Sequence, residues 1–106
     1  MKDFYLAHET ICKTIAHAKR LEILDTLRDG ELSVNELAET MGVAPANVSQ
    51  QLAILRNAGV LATRPSGTSV FYRIANPKIL KAYDLITEVM KEVAADRAKV
   101  VRRAAR

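Results

Sequence analysis

The chain has 106 residues, 49% of them apolar, and a formal net charge of +4 from 16 Lys and Arg against 12 Asp and Glu. This is the size of one domain with enough apolar residues for a core, which excludes a disordered chain; the charge is compatible with nucleic acid without proving it. A lone cysteine, Cys12, excludes an intrachain disulfide, no apolar run approaches the roughly 18 residues of a membrane span, and the start MKDFYLAHET lacks a signal-peptide core, so a reduced cytoplasmic protein is expected.

Residues 3–16 read as a first helix, with Phe4, Ile11 and Ile15 near one face. A second runs from His17 to Leu27, where Leu21, Leu24 and Leu27 recur and Asp29-Gly30 ends the pattern. Ser33 and Glu36 have the spacing of a capping box, so a third helix starts there, buries Val34, Leu37, Ala38 and Met41, and stops at Gly42. After Val43 and Ala44, Pro45 suits the first position of a fourth helix, Pro45 to Asn57, with Val48, Leu52 and Leu55 inward. The period then changes to that of two strands, Val60 to Arg64 and Ser69 to Ile74, around a turn at Pro65-Ser66-Gly67-Thr68. A last helix starts near Pro77, capped by Asn76, and extends toward Arg103. Ile79, Tyr83, Ile86, Met90 and Val93 follow along it at spacings of four, three, four and three. Such a seam suits packing against a second copy of the chain; the alternative is a helix folded back on its own core.

The fold class expected is mainly α with a β-hairpin wing, a winged helix-turn-helix spanning 1–106 as a single domain. Its wing is 60–74, and its flanking helices, 3–16 and 77–103, form a homodimer interface through Phe4, Ile11, Ile79, Tyr83, Ile86, Met90 and Val93. Two short helices joined by a turn with Gly are the helix-turn-helix unit, whose second helix enters the major groove. On that helix the amides of Asn47, Gln50 and Gln51 suit adenine edges, Ser49 suits a base or phosphate, and Ala46 suits a thymine methyl. Arg56 is placed for phosphate, and Arg64 and Arg73 in the wing for phosphate or minor groove. The only charges in the 97–106 end are basic: Arg97, Lys99, Arg102, Arg103 and Arg106. It either extends phosphate contact or is a solvated helix end favoured by the helix dipole. A Ser/Asn/Gln face is also what a solvated helix shows, so the turn, the spacing to Pro45 and the hairpin carry the DNA reading.

The stretch AHAKRLEILDTLRDGELSVNELAETMGVAPANVSQQLAILRNAGVLATRPSGTSVFYRI resembles the ArsR/SmtB family of winged-helix repressors, most specifically in VAPANVSQQLAILRNAGVL and the RPSGTSVFYRI that follows. The resemblance implies a homodimer, joined by its first and last helices, that binds an inverted-repeat operator in double-stranded DNA and, in many members, releases it when metal binds. It puts base-reading positions on Ala46, Asn47, Ser49 and Gln50. Many members have His where this chain has Gln51, and Arg where it has Thr68 after the wing Gly, so wing contacts are expected to be weaker or shifted. One family metal site uses two cysteines where ELSVNEL has Ser33 and Asn35. The other needs histidines in a last helix that has Asp84, Glu88, Glu92 and Asp96 instead.

No cofactor is therefore expected. A different site remains open: His8 and Cys12 share a helix face with Glu9 beside them, a donor set that zinc or nickel accepts. The competing readings are an interface histidine, a small buried Cys12, or a Cys12 that bridges subunits on oxidation. His17 reads as a cap or packing residue. The inducer is not legible. An enzyme is not expected, because no nucleophile, base and orienting group converge. The alternatives to a sequence-specific repressor are a non-specific or architectural DNA-binding protein and a protein-interaction module on the same scaffold.

Overall fold

In a computed structural model, which describes residues 1–105, the elements run α1 (Lys2–Ile15), α2 (Ala18–Thr26), β1 (Leu32–Ser33), α3 (Val34–Met41), α4 (Pro45–Asn57), β2 (Leu61–Ser66), β3 (Ser69–Ile74) and α5 (Lys78–Ala104). Arg106, the last of the basic residues of the tail, lies outside the described residues.

Periodicity explains the core. Ile23, Leu24 and Leu27 from α2 and the turn after it, Leu37 and Ala38 from α3, and Val48, Leu52 and Leu55 from α4 are all buried, closed below by Val60 and Leu61. Each large aliphatic side chain so buried contributes about 1.5–3 kcal/mol. The capping box is formed: the Glu36 N–H donates to Ser33 Oγ at 3.2 Å, and the Ser33 N–H donates to Glu36 Oε1 at 3.1 Å. Gly42, at φ 69°, ends α3 in the left-handed region that only glycine enters cheaply.

The sheet order is β1-β3-β2, antiparallel throughout, with Leu32 opposite Tyr72 and Leu61 opposite Ile74. β1, only two residues long, has no sequence pattern of its own and was not expected; it exists because β3 offers it a partner. The hairpin turn is also tighter than expected. Pro65 and Ser66 stay in β2, Ser66 pairs with Ser69, and Gly67-Thr68 alone makes the tip. β2 is an edge strand, where Pro is tolerated. Tyr72 and Ile74 pack toward the core, whereas Phe71 and Arg73 belong to the opposite face.

α5 begins where the Lys78 N–H donates to Asn76 Oδ1 at 2.9 Å, so Asn76 serves as the cap although Pro77 directly precedes the helix. Its 27 residues span about 40 Å. Ile79 packs against the core, but no residue of α5 is fully buried, and Leu85, Ile86, Val89, Met90 and Val93 are exposed. Phe4, Tyr5, Leu6 and Ile11 of α1 are exposed likewise.

Candidate nucleic-acid interface

The side chains that expose the candidate surface follow from the three that α4 buries. With Val48, Leu52 and Leu55 inward, helical geometry turns Ala46, Asn47, Ser49 and Gln50 outward, and all four are exposed. Among the described residues, no side-chain hydrogen bond within the protein involves Asn47, Ser49 or Gln50. Pro45 at the first helical position and the Val43 N–H donating to the Ala38 carbonyl at 3.1 Å make the turn between α3 and α4 short and fixed.

Gln51 departs from the expectation. Arg20 Nε donates to Gln51 Oε1 at 2.8 Å, while Arg20 Nη1 donates to the Thr14 carbonyl at 3.0 Å. Gln51 is therefore half-buried and held toward α2, its carbonyl oxygen already engaged, where Asn47 and Gln50 remain open. A shallow cleft of about 200 Å³ lies beside it, lined by Ile23, Met41, Val43 and Val48 with Asn47, Gln50 and Gln51 at its edge. It is smaller than the pockets that hold typical small-molecule ligands, roughly 300–1,000 Å³.

In the wing, Thr68 sits at the exposed tip and Arg73 is exposed, as is Arg56 at the end of α4. Arg64 is not free. Its Nε donates to Glu31 Oε1 at 2.9 Å, its Nη2 bonds the same carboxylate, and its guanidinium lies 5.0 Å from the centre of the Phe71 ring, its cross-strand partner. The hydrogen bond from Arg64 holds the Glu31 carboxyl below its ordinary range, and Glu31 in turn raises Arg64. The cation expected to meet phosphate thus carries a bound counter-charge.

Three residues that sequence reasoning missed, Arg20, Glu31 and Arg28, act across separations of 31, 33 and 56 residues. No local pattern marks such partners.

The family's metal sites do not fit these residues. Ser33 Oγ is occupied in the capping box, Asn35 supplies no thiolate, and Asp84 is bonded by Arg28. Cys12 is exposed rather than buried, correcting one of the alternatives above. His8 lies beside the Phe4 ring, and Glu9 is paired with Lys13 at 2.7 Å. Among the described residues, no group of three or more His, Cys, Asp or Glu side chains is arranged to hold a metal ion.

A short helix, a glycine turn, a polar-faced second helix and a two-stranded hairpin together define a winged helix-turn-helix protein. Residues 17–63 match the family model described as bacterial regulatory protein, arsR family. The chain is 40% identical over 90 residues to the HTH-type transcriptional regulator Rv0081 of Mycobacterium tuberculosis, covering 84% of this chain and 79% of that one. The crystal structure of Rv0081 superposes with a TM-score of 0.79 at 38% identity, covering 90% of this chain and 95% of that one. A biofilm growth-associated repressor of Agrobacterium fabrum is 38% identical over 76 residues, covering 72% of this chain and 65% of the relative. The homodimeric winged helix-turn-helix DNA-binding domain of Mb0332 from Mycobacterium bovis is similar with a TM-score of 0.79 at 29% identity, covering 88% and 86%. The chain belongs to the arsR family of bacterial regulatory proteins: it is a winged-helix transcriptional regulator, and its fold is not an enzyme fold. No helix among the described residues is long and apolar enough to cross a membrane.

Proposed function

We propose that the chain is a homodimer that binds an inverted-repeat operator sequence-specifically and represses transcription by occupying a promoter. The observation that carries this is the α4 face: Asn47, Ser49 and Gln50 are exposed, uncharged and without side-chain partners among the described residues, and their groups are those that read base edges. Ala46 lies on the same face for a thymine methyl, and Arg56, Arg73 and Thr68 flank it for backbone contact.

The dimer is supported by exposed apolar area. Ile86 and Met90 are 69% and 61% exposed, Phe4 is 64% exposed, and these residues sit on the two flanking helices. The radius of gyration is 17.1 Å, where a compact domain of this length has about 13 Å. A protomer that projects apolar helices from its core is suited to covering them with a second copy. The Mb0332 domain, homodimeric by its description, has the same fold. Repression follows from occlusion of the promoter, and the Agrobacterium fabrum relative is named a repressor.

Charge supports specificity over general DNA affinity. The last ten residues hold five of the 16 basic residues and none of the 12 acidic ones, so residues 1–96 carry 11 basic against 12 acidic. A domain with that balance has little to hold DNA by charge alone.

The test is fluorescence anisotropy of the protein against DNA from its own upstream region and a scrambled duplex, at about 0.15 M salt, where charge-only binding is already weakened. A clear preference for the native fragment, together with a promoter reporter that falls when the protein is supplied, is the expected result. Equal, salt-sensitive binding to both duplexes favours a non-specific DNA-binding protein. Binding to neither favours a protein-interaction module.

A further inference from the structure

Building on the dimeric DNA-binding reading, we infer that Arg28 is a positioning residue: it fixes the angle at which α5 leaves the domain, and thereby the separation of the two recognition helices in the dimer.

Arg28 lies in the turn after α2, outside the candidate DNA surface. Its guanidinium reaches α5 through its Nη1–Nη2 edge. Nη1 donates to Asp84 Oδ2 at 2.9 Å and Nη2 donates to Asp84 Oδ1 at 2.9 Å. Asp25, one turn back, holds the other side of the fork, accepting from Nε at 3.1 Å and from Nη2 at 3.0 Å. The same group stands 5.7 Å from the centre of the Tyr83 ring. One planar cation is therefore held by two carboxylates and an aromatic ring, with its orientation fixed as well as its distance.

What it grips explains the consequence. α5 buries no residue completely; Ile79 packs on the core, and the apolar residues from Leu85 to Val93 stand exposed. The packing of this helix on its own core comes from Ile79 in its first turn, and Asp84 and Tyr83 lie in its second. An exposed ion pair adds little to stability. A bidentate pair at the root of a long lever does something else: it sets direction. For a helix about 40 Å long, a tilt of about 10° moves the far end by about 7 Å. Two recognition helices must meet half-sites about 34–36 Å apart, so an error of that size removes one from its groove. Arg28 acts through α5 and touches no DNA.

The experiment uses the full chain with Arg28→Lys, which keeps the charge and removes the fork, and with Asp84→Asn, which keeps the shape and removes the charge. Dimerisation is followed by sedimentation and folding by circular dichroism. Affinity is measured on a single half-site and on a series of operators whose half-site spacing changes one base pair at a time. Both variants are expected to fold and dimerise as the wild type does, and to bind a single half-site unchanged. On the wild-type spacing each is expected to lose affinity roughly tenfold, with a broadened or shifted spacing preference, and the double variant to lose no more than either alone. Two results overturn the inference: both variants keep the wild-type spacing profile, or both lose equally on the single half-site, which would put Arg28 in the support of α4 instead. If the wild-type protein itself shows no operator or spacing preference, the dimeric DNA-binding reading falls, and the assignment with it.

Discussion

At Gln50 the side-chain amide is exposed, as is Asn47, with no hydrogen-bond partner among the described residues, and at Gln51 the neighbouring amide accepts from Arg20. The difference is one step of 100° around α4, enough to turn a side chain from the solvent toward α2. Gln50→Ala is therefore expected to weaken binding to the operator by about 1–3 kcal/mol, the range of one good base contact, with a much smaller loss on random DNA. Anisotropy on both duplexes checks this, and equal losses would remove Gln50 from base reading. Glu31 and Arg64 belong to the same scale. While Glu31 holds Arg64, the wing cation is neutralised, so Glu31→Gln is expected to strengthen binding to any duplex and to steepen its salt dependence by about one ion. The pair also has a pH signature. The Glu31 carboxyl is held below its ordinary range mainly by the Arg64 hydrogen bond, so its contribution to stability is present above the ordinary carboxylate range and is lost as pH falls through the lowered value. In Arg64→Gln, an NMR titration of the Glu31 carboxyl should return it toward the ordinary range; an unmoved titration would show that the pair does not form in solution.

Among the helices, α1 and α5 are the two without a fully buried side chain, and α5 is the longer. A helix of 27 residues without a fully buried side chain gains little from its own chain, because a helix in a protein is stabilised chiefly by packing its apolar face. Ile86 and Met90 are the cleanest probes of that face. Tyr83 is half-buried beneath Arg28, and Ile79 packs on the core, so changes at either would disturb the domain as well as an interface. Ile86→Glu combined with Met90→Glu is expected to give a folded monomer by sedimentation, with operator binding reduced to that of one half-site. A double variant that still sediments as a dimer would move the interface elsewhere. The helices of the DNA-reading unit were legible because each carries its own signals: the Ser33–Glu36 box, Gly42, and Pro45. β1 was not, since two residues have no period, and the turn is narrower than its sequence suggests because Pro65 reads locally as a breaker although an edge strand accepts it.

Over the whole molecule, charge and shape are divided between parts. Residues 1–96 are close to neutral, and the excess of positive charge lies in the last ten residues, of which 97–104 form the end of the longest helix. Exchanging Arg97, Lys99, Arg102 and Arg103 for Gln separates two roles. If the tail contributes to DNA binding, the slope of log affinity against log salt should fall by several units while the operator preference is kept; an unchanged slope would mark it as a solvated helix end.

The sequence by itself determined the order of the helices and the hairpin, the winged-helix class, the buried stripe of α4 and, from that stripe, an outward set of Ala46, Asn47, Ser49, Gln50 and Gln51, of which the first four are exposed, because each of these depends on residues within a turn or two of one another. Only the tertiary structure decided that Gln51 is held by Arg20, that Arg64 is held by Glu31, and that Arg28 grips α5 at Asp84. Those contacts join residues far apart in the chain, and side-chain charge and hydrogen-bonding capacity select partners by distance in space, which periodicity does not encode.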